Sequence, residues 1–102
     1  MAVPIRWLKQ AEHELDEIWR FVAEDSPQNA SAIIVRLVKA ARDLGDDPRI
    51  GHVVPEFNQI EIREYAVWPF RLVYRVDESG IVILAIVHGA REMPAEVVKR
   101  MP

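Results

Sequence analysis

Residues 63–92, REYAVWPFRLVYRVDESGIVILAIVHGARE, restrict the fold of this chain more than any other segment. They read as a meander of strands at Ile60–Val67, Phe70–Asp77 and Ile81–His88. Trp68-Pro69 forces the first turn, and Glu78-Ser79-Gly80 closes the second with glycine where positive φ costs least. The last strand is almost wholly apolar and β-branched, as expected of a strand covered on both faces. In the middle strand Phe70, Leu72, Tyr74 and Val76 alternate with Arg71, Val73, Arg75 and Asp77, so one set meets a core and the other faces away. The set with both aromatics is placed inward. Arg71 and Arg75 then share an open sheet face.

Upstream the period changes from two to 3.6. Val3–Trp7 is a short extended segment, with Pro4 suited to a sheet edge because its missing N–H is not needed there. Leu8–Glu24 follows as a helix with Ala11, Leu15, Ile18, Trp19 and Val22 on one stripe. Its acidic residues, Glu12, Glu14, Asp16 and Glu17, read as a solvated face on which Asp16 and Arg20 form an i,i+4 pair. Ser26-Pro27 restarts a helix: serine caps free N–H groups and proline fits the first turn. That helix runs to about Leu44, where Gly45-Asp46-Asp47-Pro48 ends it. So short a link makes the two helices an antiparallel hairpin. Arg49–Gln59 is a loop of unspecified conformation, and Pro94–Met101 forms one or two helical turns. The expected architecture is α+β: an N-terminal strand, then a helical hairpin packed on a twisted antiparallel sheet that ends in the meander, and a short C-terminal helical segment.

With 102 residues, 50% of them hydrophobic, the chain is a single domain, residues 1–102, with one modest core. The formal net charge of −3 argues against broad, non-specific nucleic-acid binding. The absence of cysteine removes disulfides, thiolate metal sites and cysteine nucleophiles. Neither an apolar leader nor a run long enough to cross a membrane is present, so no membrane partner is expected and the reading is cytoplasmic. His13-Glu14 lacks a histidine at i+4 and is no zinc motif. No metal and no cofactor is expected.

Candidate functional residues cluster around the meander. Arg63, Arg71, Arg75 and Arg91 sit on or just beyond the sheet. They either pair with Glu61, Glu64 or Asp77 as a solvated face, or anchor a partner, since arginine is enriched at binding hot spots. For Arg75 the pairing with Asp77 is preferred; for Arg71 and Arg91 both readings stay open. Trp19 and Trp7 read as packed residues. Trp68, in a turn before Pro69, is the best contact residue of the three tryptophans, with a nucleic-acid role disfavoured for want of neighbouring basic residues. His88 is the one nearby side chain able to exchange protons near neutrality. Its simple strand register sets it with Val82, Leu84 and Ile86, opposite Ile81, Ile83, Ala85 and Val87.

Five segments in this order resemble the RelE/ParE superfamily of toxins from type II toxin–antitoxin systems. They are the A-x-x-x-L-x-x-I-W-x-F of Ala11 to Phe21, the P-x-x-G of Pro48 to Gly51, R-E-Y at Arg63–Tyr65, F-R-L-V-Y-R-V from Phe70 to Val76, and H-G-A-R-E from His88 to Glu92. The resemblance covers nearly the whole chain and implies a cognate antitoxin as partner. RelE-like members cut ribosome-bound messenger RNA with arginines, lysines and a C-terminal tyrosine or histidine; ParE-like members generally lack that set and poison DNA gyrase. Arg71 and Arg91 fall where two arginines of the RNA-cutting group lie. The tyrosine beyond the second arginine is absent from Met93–Val98, and the only lysines are Lys9, Lys39 and Lys99. These departures favour a ParE-like, plasmid-stabilising, non-catalytic gyrase inhibitor. In that reading Arg63, Arg71, Arg75, Arg91 and Trp68 contact partners. One alternative is a ribosome-dependent endoribonuclease using Arg71, Arg91 and His88; the other is a degenerate toxin kept as an antitoxin-binding module.

Overall fold

The first strand hydrogen-bonds to the last one. In the computed structural model, which describes residues 2–100, β1 (Ile5–Trp7) lies parallel to β5 (Gly80–His88), with Ile5 opposite Ile81 and Trp7 opposite Ile83. Between them come helices α1 (Lys9–Ala23) and α2 (Pro27–Leu44), then β2 (His52–Val53), β3 (Ile62–Val67) and β4 (Phe70–Asp77). The sheet has five strands in the order β1-β5-β4-β3-β2, all pairs antiparallel except the first. The expected architecture holds, with two refinements: the sheet is mixed, and the loop after α2 contributes the two-residue β2. A 3-10 helix spans Ala95–Lys99; Met101, assigned above to that helix, lies outside the described residues.

Local chemistry sets the boundaries. Ser26 Oγ accepts the Asn29 amide at 3.2 Å, and Pro27 opens α2. The Asp77 carboxylate accepts both the amide and the hydroxyl of Ser79, at 2.8 and 2.6 Å, and Gly80 takes φ 132°. These Ser79 bonds, more than Arg75, hold the Asp77 carboxyl below its ordinary range.

The helix side of the sheet holds the larger core, in which Leu37, Ala41 and Leu44 of α2 and Ala11 of α1 meet Leu72, Tyr74, Ile81, Ile83 and Ile86. Each large aliphatic group hidden there contributes roughly 1.5–3 kcal/mol. Trp7 packs against this core as expected, whereas Trp19 is 41% exposed. Ala11, Leu15 and Ile18 already fill the strip of α1 that packs on this core, and Trp19 falls beside it.

The opposite face is not open. Met93, Val97 and Val98 from the C-terminal segment, with Val54 and Phe57 from the loop, cover Ile62, Val73, Val82, Leu84, Ala85 and Val87. This second layer is tied down through α1. β1 stops at Trp7, so beyond Ile83 the edge of β5 has no strand beside it. Glu14 Oε1 accepts the Ile86 amide at 3.1 Å, and Arg100 Nη1 donates to the Leu84 carbonyl at 3.0 Å and to Glu14 at 3.0 Å. Arg100 also holds Glu96 at 2.7 Å. Burial works against the charge on Arg100, yet the hydrogen bonds to Glu14 and Glu96 push its pKa above the ordinary value. Glu14 is therefore a structural clasp and not part of a solvated face.

Candidate functional site

The register of β4 on β5 decides where the candidate residues stand. Phe70, Arg71, Leu72 and Val73 pair with His88, Val87, Ile86 and Ala85, but Tyr74 pairs with Ile83, so Leu84 is an extra residue in β5. Such a bulge reverses the side-chain parity of everything beyond it. His88 accordingly lies with Ile81, Ile83 and Ile86 on the helix side, contrary to the simple alternation. Arg71 and Arg75 lie on the other face, as expected.

Arg71 is a strut. Its Nη1 donates to Glu64 Oε1 at 2.8 Å and its Nη2 to the Arg91 carbonyl at 2.6 Å, and only 18% of the side chain is exposed. It thereby links β3 to the segment that follows β5. The Arg91 side chain itself is exposed. His88 packs edge-on against Phe70, ring centroids 5.7 Å apart, and its Nδ1 accepts the Ala90 amide at 3.2 Å. The ring borders an apolar groove of about 400 Å³ formed by Ile18, Phe21, Val22, Ile33 and Phe70. Arg71 and Arg91 thus come together through a backbone contact, and His88 is separated from Arg71 by the sheet.

Arg63 is not on the arginine face. It pairs with Tyr74, on the helix side, and its Nη1 donates to the carbonyls of Gly51 and Arg49 at 2.9 and 3.2 Å. The Tyr74 hydroxyl accepts the Gly51 amide at 2.9 Å. Together they fix the loop after α2. Burial raises the Tyr74 phenol above 10.0, with the Gly51 amide and Arg63 opposing. A phenol whose folded pKa is raised contributes stability below its unfolded pKa and loses it as pH climbs through the folded one. Alkaline denaturation should therefore be blunted in Tyr74→Phe, whose urea midpoint should fall less between pH 9 and pH 11 than the parent's. An equal fall in both proteins would refute this role.

Sequence reasoning passed over Glu14, although a signal existed: it stands three residues after Ala11 and four before Ile18, on the apolar stripe itself. A carboxylate there calls for a buried partner. It also passed over the neighbours of Trp68. That residue is 68% exposed, and Arg36 of α2 donates to its carbonyl at 2.8 Å. Among the described residues, no group of three or more His, Asp or Glu side chains is placed to hold a metal ion, and no helix is long and apolar enough to cross a membrane.

Comparison with known proteins agrees with this architecture. Toxin ParE3 of Caulobacter vibrioides is 28% identical over 88 residues, covering 85% of this chain and 87% of that protein. The chromosomal ParDE system of P. aeruginosa contains a chain that superposes with a TM-score of 0.68 at 24% identity, over 85% of this chain and 96% of the other. E. coli RelE, in a free mutant form, superposes at 0.66 with 16% identity, over 98% and 94%. At these identities the two superpositions speak for the fold alone. The family described as ParE toxin of type II toxin-antitoxin system, parDE, matches residues 5–93, and the chain belongs to that family.

Proposed function

We propose that this ParE-family toxin inhibits DNA gyrase by protein–protein contact and is neutralised in the cytoplasm by a cognate antitoxin. The observation that carries the non-catalytic reading is the strut geometry of Arg71. Cutting RNA through its 2′-OH requires a phosphate clamp with a proton-transfer group beside it. Here both terminal nitrogens of Arg71 are engaged by Glu64 and the Arg91 carbonyl, and the imidazole expected to serve it, that of His88, lies across the sheet. Arginine cannot take over the proton transfer at neutral pH. Arg91 and Arg75 form the proposed protein contacts, with Arg71 positioning Arg91 from behind and Arg63 holding the loop.

Purified toxin should inhibit gyrase supercoiling and leave ribosome-bound message intact. Arg91→Ala should weaken inhibition about tenfold, as hot-spot arginines do, with an unchanged unfolding midpoint. Message cleavage that disappears in Arg71→Ala would replace this reading with the nuclease one. Silence in both assays with antitoxin binding intact would point to a retained binding module.

A further inference from the structure

We propose that the cleft between α2 and the β3–β4 turn binds single-stranded nucleic acid, with Trp68 as the stacking platform and Arg36 and Lys39 as the phosphate contacts. The basic residue nearest to Trp68 in sequence, Arg71, is engaged by Glu64 and the Arg91 carbonyl, but the fold supplies two others. The cleft, about 250 Å³, is lined by Arg36, Lys39, Asp43, Tyr65, Ala66 and Trp68. Trp68 is exposed yet held at both ends. Its carbonyl accepts from Arg36, and its ring lies so close to Gly89 that a Cβ there would come within 3.0 Å of Cζ3. A large aromatic surface fixed in place and left open to solvent is ready to stack an unpaired base. Arg36 uses one N–H on the Trp68 carbonyl, and a guanidinium has five. Lys39 is 70% exposed, bonded at 3.1 Å to an Asp43 that is itself 53% exposed. A bond so exposed is worth little and yields to a phosphate.

Two comparisons within the molecule favour nucleic acid over a protein segment. The apolar groove beside Phe21 and Phe70, on the far side of the turn, has the aliphatic walls that suit a partner helix. The Trp68 cleft instead is lined by two aromatic residues, Tyr65 and Trp68, and two cationic ones, Arg36 and Lys39. Its local balance of two cations to one carboxylate departs from the acidic whole, whose net charge is −3. With two phosphate contacts on a single strand, affinity should fall about sevenfold between 50 and 200 mM salt. This site requires neither gyrase nor the antitoxin.

The test is fluorescence anisotropy of a short labelled oligo-dT titrated with the full chain. Trp68→Ala and Arg36→Ala should each lower affinity roughly tenfold. Asp43→Asn, which releases Lys39, should raise it about threefold, a gain that a purely structural role does not produce. Lys99→Ala, on the C-terminal 3-10 helix, should change nothing. Absence of binding at 50 mM salt, or equal losses in Trp68→Ala and Lys99→Ala, would overturn the proposal. So would a polyglutamate peptide that competes as well as the oligonucleotide and with the same dependence on Trp68, which would assign the cleft to an acidic protein segment.

Discussion

Arg100→Ala should lower the stability of the protein by about 2–3 kcal/mol, moving the urea midpoint down by about 2 M. Arg100 is 12% exposed and Glu14 26%, so the pair is sheltered enough for its loss to matter and wet enough to fall short of a fully buried pair. The change strands the Glu14 carboxylate and the Leu84 carbonyl at the uncovered edge of β5. It also releases the segment whose Met93 and Val97 cover the second face. An apolar-surface dye should therefore bind the variant and not the parent. Glu14→Gln should cost less, about 1 kcal/mol, because the amide oxygen still accepts from Ile86. If Arg100→Ala kept the parental midpoint, water would have to satisfy that edge unaided, and the clasp would be incidental.

Gly51→Ala should be as damaging, about 3 kcal/mol. An added Cβ would stand 2.5 Å from the Tyr74 hydroxyl and 2.6 Å from the Glu64 carbonyl oxygen. One of these obstacles is main chain in a paired strand, so the loop must give way and with it the bond from the Gly51 amide to Tyr74. Loss of that bond also unseats Arg63 from the loop carbonyls. Tyr74→Phe together with Gly51→Ala relieves the closer of the two contacts only. The double variant should remain well below the parent in thermal melts. Recovery to the level of Tyr74→Phe alone would show the Glu64 contact to be harmless.

Most of the architecture is written in local sequence. Ser26-Pro27, Gly45 and Gly80 punctuate the helices and the last turn, and the alternation in Phe70–Asp77 correctly sets Arg71 and Arg75 away from the helices. What escaped was either one residue of irregularity or a long-range meeting. Leu84 as an extra residue leaves no mark in an apolar run, because Val82, Leu84, Ala85 and Val87 are equally fit for either face; yet it moves His88 across the sheet. Glu14 meets an arginine 86 residues away, and Arg36 meets Trp68 32 residues away. Such pairs depend on topology, which local periodicity does not encode. The same holds for Arg63, whose partners lie in a loop with no periodic pattern at all.

Pairing β1 with β5 bears on when the fold can be finished as the chain is made. During synthesis the N-terminal strand leaves the ribosome first and waits for residues 81–83 before it has a neighbour. A nascent chain halted in the meander carries an unfinished sheet. The sheet is therefore completed only late in translation, once residues 81–83 have emerged to receive the strand made first.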